Sequence, residues 1–336
     1  MHLLLLGLLA TQAPITIGTA SAAPGAKGSG VIHVPAAEDS GTVIPLSIIR
    51  GVRPGPTLAL VAGTHGREVA PILALHRVRE MLDPAALSGT VLLVHVANVP
   101  SFLGRTVYYG PDGKNLNRMY PGRADGTVSE RIAFHITREI IDRSDYLVDM
   151  HAGDGNESLR PYTYWNRLGI DARTDSVALG MALAWGHARI VVDTARPRDR
   201  GASVYTQNTA HLRGKPSITT ETGWLGEPDP VMIQQNVDGA FRLLRHLRML
   251  PGEVEPLAPP MFLTHTAVLR SEHTGLWHPL VERGHTVREG TPLGYVTDWF
   301  GNRLAEIRAP FAGEVLYVIA TPAMSKGEPV GMIGRE

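Results

Sequence analysis

Two histidines and a glutamate follow apolar segments at spacings that suit a metal ion. His65 and Glu68 stand three residues apart after the apolar run 58–62, with Gly66 between them to allow a tight turn, and His151 follows a second apolar run. Two histidines and one carboxylate, with a fourth position open to water, are the ligand set of a catalytic zinc site. Taken alone, the His-x-x-Glu motif equally suits a loop histidine beside a glutamate that favours the start of a helix.

Three further polar residues could bind or activate a substrate. Glu221 ends an apolar segment, where a purely structural glutamate would be unusual, so we interpret it as a general base. Arg118 offers a planar guanidinium for a carboxylate or a developing oxyanion, and Asn117 offers a neutral donor beside it. The alternative is that Asn117 and Arg118 lie in a solvated loop and have no role in substrate binding.

Alternating strands and helices must position these residues. Branched apolar runs predict strands, and apolar residues at helical spacing predict helices. The predicted strands cover residues 43–49, 57–62, 91–96, 146–150, 189–192 and 217–220, and the predicted helices cover 68–81, 129–143, 179–185 and 230–249. This alternation predicts an α/β sheet, and ligands bind such sheets outside the carboxyl ends of the strands. His65 and His151 stand at two such ends.

The composition excludes several classes of function and of site. The 32 basic residues balance the 32 acidic residues, so no strong positive field would attract nucleic acid or an anionic membrane surface. Cysteine is absent, which removes disulfide frameworks, thiolate metal sites and cysteine nucleophiles. A metal in this chain must therefore take histidine and carboxylate ligands.

The chain divides into three predicted parts. Residues 1–23 combine an apolar run with a small-residue stretch and predict a secretory signal peptide, hence a periplasmic or secreted protein; an uncleaved membrane anchor is the alternative. Residues 31–253 form the predicted catalytic domain. A proline-rich boundary precedes residues 258–336, where regularly spaced glycines predict an all-β domain.

Four motifs together resemble a known family. HGRE (65–68), NLNRMYPG (115–122), DMHAG (149–153) and ITTETG (218–223) are similar, in order and spacing, to motifs of the succinylglutamate desuccinylase and aspartoacylase family, a deacylase branch of the zinc carboxypeptidase superfamily. The resemblance covers residues 45–250. It implies a zinc-carboxypeptidase-like mixed sheet flanked by helices. It also implies one zinc per chain and roles for six residues: the ligands His65, Glu68 and His151, the substrate contacts Asn117 and Arg118, and the acid/base residue Glu221.

The C-terminal part carries a second resemblance. The family often ends in a β domain, and the pattern PLVERGHTVREGTPLG followed by APFAGEV is similar to a biotinyl/lipoyl-like sandwich. Carrier domains of that type have a modifiable lysine in one turn, and this chain has none there. The resemblance therefore implies a structural module or one that forms the rim of the site.

One departure from the family pattern concerns the substrate. Aspartoacylase-like members have Thr-Arg-Tyr shortly before the Asn-Arg pair, and that arginine grips a substrate carboxylate, whereas this chain reads Thr106-Val107-Tyr108. Either Arg105 takes over this role or the substrate differs. The predicted reaction is zinc-dependent hydrolysis of an amide, with deacylation of a carboxylate-bearing N-acyl amino acid as the first interpretation. An exported carboxypeptidase-like peptidase and a non-catalytic binding module are the alternatives, and self-association into a homo-oligomer is compatible with the sequence.

Overall fold

The computed structural model describes residues 13–108 and 110–336. The strands before the proline-rich boundary are β1 (Ile15–Ile17), β2 (Ala20–Ala22), β3 (Ala26–Val34), β4 (Thr42–Arg50), β5 (Arg53–Ala62), β6 (Ser88–Val94), β7 (Tyr146–His151), β8 (Glu157–Leu159), β9 (Tyr162–Asn166), β10 (Arg189–Asp193) and β11 (Ser217–Glu221). The strands after it are β12 (Met261–Leu263), β13 (His265–Arg270), β14 (Gly275–Pro279), β15 (Thr286–Val287), β16 (Pro292–Thr297), β17 (Arg303–Arg308), β18 (Gly313–Ile319), β19 (Ala323–Met324) and β20 (Pro329–Arg335).

The helices all lie in the first part of the described chain. They are α1 (Val69–Met81), α2 (Val99–Gly104), α3 (Val128–Ile136), α4 (Ala172–Trp185), α5 (Thr206–His211) and α6 (Pro230–His246). Helix α3 continues into a π-helical turn at Thr137–Ile141, and short 3₁₀ turns cover Leu116–Arg118 and Arg200–Ala202. No helix among these described residues is both long and apolar enough to cross a membrane.

A nine-stranded mixed sheet forms the centre of the fold, in the order β12-β10-β9-β11-β7-β5-β6-β4-β3. Strands β6, β5, β7 and β11 run parallel to one another, while β9 is antiparallel to β11. This mixed α/β architecture confirms the predicted fold class. The parallel strands bring the ends of β5, β7 and β11 to one edge of the sheet.

Both faces of the sheet are covered, which explains why its central strands are apolar along their whole length. On one face, Leu58 and Leu60 of β5 pack in a cluster with residues of α1, α4 and α6. On the other face, Ala59 and Val61 of the same strand pack in a cluster that includes residues of α3. Successive side chains of a strand point to opposite faces, so β5 anchors both layers.

An N-terminal hairpin packs on the second of these layers. Strands β1 and β2 pair antiparallel, and Ile17 and Ala20 are 1% and 0% exposed in the same cluster as α3. The apolar run of the predicted signal peptide falls largely on residues 1–12, outside the described residues. Cleavage at the predicted end, Ala23, would remove β1 and β2 from this cluster, and the signal peptide itself stays a prediction.

The C-terminal part is all-β, as predicted, and consists of two sheets. One has the order β13-β20-β18-β15 and the other β17-β16-β14-β19. Trp277, Leu293 and Val330 pack between them in a separate core. Its similarity to a biotinyl/lipoyl-like sandwich stays a prediction.

Strands from the two sides of the predicted boundary at residues 253–258 pair with each other. Strand β8, from the first part, pairs with β18, and β12, from the second part, pairs with β10 of the central sheet. Glu314 of β18 also accepts a hydrogen bond from Arg189 of β10 at 3.0 Å. The C-terminal β domain is thus built into the catalytic domain through main-chain pairing.

Candidate active site

The first two predicted ligands lie in the loop between β5 and α1. Glu68 immediately precedes the first residue of α1, and both His65 and Glu68 are buried, at 8% and 2% exposed. Gly66 lets this loop fold tightly, because a Cβ atom there would lie 2.3 Å from the carbonyl oxygen of Thr106 and 2.4 Å from that of Ser101. The glycine of the HGRE motif is therefore required by close backbone approach.

Strand register brings the remaining chemistry to the same edge. Strand β7 lies between β5 and β11, and His151 is its last residue. Glu221, the last residue of β11, is the direct partner of His151 in the parallel pairing. The pairing of β7 with β11 therefore places Glu221, the general-base candidate, beside His151, the third ligand candidate.

The three ligand candidates converge on one point. The Nδ1 atoms of His65 and His151 lie 2.8 Å and 2.9 Å from the same oxygen, Oε1 of Glu68. One ligand atom from each residue lies within 4.8 Å of the others, and all three residues are buried. Two imidazole nitrogens and a carboxylate oxygen are donors that suit Zn²⁺. The arrangement fits a metal centre.

Neighbouring groups hold both imidazole rings with Nδ1 turned inward. The Oδ1 atom of Asn115 accepts a hydrogen bond from the backbone N–H of Asn117 and lies 3.2 Å from Nε2 of His65. That oxygen is an acceptor, so Nε2 of His65 can donate a proton to it while Nδ1 faces Oε1 of Glu68. Asp149 places Oδ2 3.1 Å from Nε2 of His151, so a carboxylate lies beside the second ring on the side away from Glu68.

Asn117 is held in a defined orientation beside His151. Its Oδ1 accepts hydrogen bonds from the backbone N–H and the hydroxyl of Thr206, at 2.9 Å and 3.1 Å. Its Nδ2 lies 3.1 Å from Nε2 of His151. The side chain lines the cavity and contacts a ligand candidate, in addition to the substrate role that its motif predicts.

The carboxylates of the site differ in their electrostatics. Burial would raise the pKa of Glu68, but His151 and His65 lower that pKa well below its ordinary range. Burial raises the pKa of Glu221 well above its ordinary value, and His151 only partly opposes this shift. Glu68 therefore remains an anion suited to a cation, whereas Glu221 has a raised proton affinity, as a proton carrier requires.

Arg118 lies in the cavity and is available for an anion. Its guanidinium stacks 4.5 Å from the ring centre of Tyr205 and donates a hydrogen bond to its neighbour's carbonyl. Arg196 stacks on the same ring at 3.8 Å but is paired with Asp193 at 2.6 Å. No carboxylate of the described residues pairs with Arg118.

Arg105 does not join the site. It is exposed, has a left-handed backbone conformation after α2, and does not line the cavity around the ligand candidates. The prediction that Arg105 replaces the family's carboxylate-binding arginine is therefore not supported by its position. Arg196 is the second arginine in the cavity, and it was missed because it lies in a segment without a recognisable motif.

The cavity has a volume of about 150 Å³ and contains further residues that the sequence analysis missed. Five tyrosines line it: Tyr108, Tyr162, Tyr164, Tyr205 and Tyr317. Tyr317 comes from β18 of the C-terminal sheet, and Glu157 comes from β8, which pairs with β18. The pairing of β8 with β18 joins segments far apart in the chain and leaves no pattern in the sequence around either residue. Neither Tyr317 nor Glu157 could therefore be assigned to the site from sequence spacing.

Comparison with known proteins gives the same assignment as the motifs. Residues 54–247 match the model of the succinylglutamate desuccinylase/aspartoacylase catalytic domain. The chain is 29% identical over 315 residues to the N-alpha-acetyl-L-2,4-diaminobutyric acid deacetylase of Halomonas elongata, covering 90% of each chain.

Solved structures share the fold along nearly the whole chain. The product-bound ectoine utilization protein EutE (DoeB) of Ruegeria pomeroyi has a TM-score of 0.81 at 25% identity, covering 93% of this chain and 95% of that one. A succinylglutamate desuccinylase/aspartoacylase from Rhodobacter sphaeroides has a TM-score of 0.80 at 24% identity, covering 92% and 96%. The protein therefore belongs to the succinylglutamate desuccinylase/aspartoacylase family.

Proposed function

We propose that this protein is a zinc-dependent deacylase of N-acyl amino acids. One observation carries the proposal. The Nδ1 atoms of His65 and His151 lie 2.8 Å and 2.9 Å from one oxygen of Glu68, and Glu221 is the strand partner of His151. A zinc ion held by these three residues would act as a Lewis acid and lower the pKa of a water in the cavity.

The chain's own residues supply the remaining chemistry. Glu221 accepts a proton from the attacking water and later returns it to the leaving amine, in keeping with its raised pKa. Arg118, which no carboxylate of the described chain neutralises, binds the carboxylate of the substrate or the oxyanion that develops during attack. Its stacking on Tyr205 limits the movement of the guanidinium and so defines where that anion lies.

The walls of the cavity favour a small substrate. Tyr317 of the C-terminal domain lines it beside the ligand candidates, and such a wall restricts a long peptide chain more than an acylated amino acid. We assign the proposed biotinyl/lipoyl-like domain this rim-forming role. The Halomonas elongata relative is named for N-alpha-acetyl-L-2,4-diaminobutyric acid, so N-acetylated amino acids are the first compounds to test. The peptidase and binding-module alternatives are tested by the same experiment.

The test compares wild type with Glu221→Gln and with the exposed control Glu227→Gln. Zinc content is measured together with hydrolysis of N-acetyl amino acids, N-succinyl amino acids and dipeptides. We expect about one zinc per chain in all three proteins. Turnover of an N-acyl amino acid should fall by about 10²- to 10⁴-fold in Glu221→Gln alone, because the proton acceptor is lost while side-chain size is kept.

Three results would contradict the proposal. Preferred cleavage of dipeptides would identify a peptidase, and absence of any turnover in the zinc-loaded wild type would identify a binding module. Unchanged turnover in Glu221→Gln would remove Glu221 from the mechanism.

A further inference from the structure

The cavity contains a carboxylate that the proposed deacylation mechanism does not use. Glu157 is the first residue of β8 and lines the cavity together with His65 and Glu221. The hydroxyl of Tyr108 donates a hydrogen bond to its Oε1 at 2.6 Å. No lysine or arginine among residues 13–108 and 110–336 forms an ion pair with it.

Arg283 of the C-terminal domain contacts the residue after Glu157 but not Glu157 itself. The guanidinium of Arg283 stacks 3.8 Å from the ring centre of Trp224 and donates a hydrogen bond to the hydroxyl of Ser158. Glu157 is therefore a carboxylate that lines the cavity without an ion pair to a lysine or arginine of the described residues. Buried carboxylates are usually paired, because desolvation without a partner is costly.

Burial raises the pKa of Glu157 to about 7, although the hydrogen bond from Tyr108 opposes the shift. A positive group brought next to the carboxylate would reverse this effect by favouring the charged form. A cation beside Glu157 would thus stabilise the charged form that burial disfavours. That behaviour suits a binding group more than a fixed structural anion.

The arginines and Glu157 make different contacts in the cavity. Arg118 and Arg196 stack on the ring of Tyr205, whereas Glu157 accepts a hydrogen bond from Tyr108 and forms an ion pair with neither arginine. A ligand that matches both regions carries a carboxylate at one end and a cation at another. Its acyl amide would lie between them, near the metal ligands.

We propose that Glu157 recognises a positively charged side chain of the substrate, so that the enzyme is specific for N-acyl diamino acids over neutral N-acyl amino acids. This inference rests on the proposed deacylase function and adds its side-chain specificity. Tyr108 is a positioning residue, because its hydroxyl fixes one oxygen of the carboxylate. The ammonium of the substrate then provides the missing counter-charge.

The test uses two substrates of nearly equal shape. N-acetyl-2,4-diaminobutyrate ends in an ammonium, and N-acetylnorvaline ends in a methyl group at the same position. Wild type should prefer the charged substrate by at least about 30-fold in kcat/KM, the loss expected when one partner of a desolvated charge pair is removed. In Glu157→Gln, which keeps an acceptor for Tyr108, that ratio should fall to near one.

The exposed Glu289→Gln is the control, since it removes the same charge from the surface of the C-terminal domain and should keep the wild-type ratio. Calorimetry provides a readout without turnover: 2,4-diaminobutyrate should bind wild type more tightly than norvaline does, and Glu157→Gln should lose this difference. Equal hydrolysis of both substrates by wild type, or a preference that survives Glu157→Gln, overturns the inference while the deacylase function stands. Failure to hydrolyse any N-acyl amino acid overturns both.

Discussion

His187 should make the folded protein sensitive to mild acid. It is 3% exposed, and its two ring nitrogens lie 2.9 Å and 3.0 Å from the hydroxyl oxygens of Thr163 and Thr222. Both hydroxyls can donate or accept, so the neutral ring is fully hydrogen-bonded without a charge. Burial lowers the pKa of His187 from 6.5 to about 4. The perturbation that tests this environment is His187→Gln.

The sign of the effect follows from proton binding. Between pH 6.5 and pH 4 the unfolded chain binds a proton at this histidine that the folded chain does not, so the free energy of unfolding falls as the pH falls. With a folded pKa of about 4, the difference between pH 7 and pH 5 amounts to about 2 kcal/mol from this one residue. The stabilisation is present at and above pH 7 and is lost progressively below pH 6.5.

Urea denaturation followed by tryptophan fluorescence at pH 7 and pH 5 measures this difference. Wild type should lose about 2 kcal/mol more than His187→Gln over this interval, whatever the stability of the variant at pH 7. His33→Gln, at an exposed position of β3, controls for the loss of a histidine and should retain the wild-type dependence. Equal losses in wild type and His187→Gln would refute the reasoning, because His187 would then titrate alike in both states.

Three further outcomes are expected. His151→Ala should abolish stoichiometric zinc binding while His33→Ala retains it, as elemental analysis of the purified proteins will show; full zinc retention would exclude His151 as a ligand. Asn115→Ala should weaken zinc affinity by about 10- to 100-fold, measured by competition with a chelator, because the acceptor that orients the His65 ring is lost; unchanged affinity would contradict this role. A chain beginning at Ala23 should melt at a lower temperature than one beginning at Ala13, since it lacks β1 and β2, and N-terminal sequencing from fractionated cells will show whether export removes this hairpin.

Three of the predicted site residues share one property, because each stands at or just after the end of a central strand, whereas Asn117 and Arg118 lie in a 3₁₀ turn and were identified by their motif. An apolar run that stops at a polar residue marks such an end, and this pattern identified His65, His151 and Glu221. The parallel strands then bring these ends together, which the alternation of strands and helices also predicted. Helix α1 was likewise predicted to within one residue, because it packs on the sheet through regularly spaced apolar residues.

The parts that could not be predicted depend on contacts between distant segments. Arg196 reaches the cavity through its stacking on Tyr205, and Tyr317 reaches it through the pairing of β18 with β8. Neither residue stands in a local sequence pattern that marks a site: Arg196 lies in a loop, and Tyr317 lies in an apolar strand like many others. Arg105 was considered because it adjoins Thr106-Val107-Tyr108, the nearest match to the family's Thr-Arg-Tyr, but the turn after α2 leaves it exposed.

The short strand β8 connects the chemistry of the two domains. Along the chain, β8 follows β7, which ends at His151, and precedes β9, which pairs with β11. In space, β8 pairs with β18 of the C-terminal sheet. Its first residue, Glu157, pairs with Ile319, and Leu159 pairs with Tyr317, so one main-chain register sets both cavity residues at once. A shift of β18 by one residue would turn Tyr317 away from the cavity, because alternate side chains of a strand point to opposite faces. Under the proposed function, substrate selection would depend on the domain junction, whereas the three ligand candidates lie at the edge of the central sheet and at the start of α1.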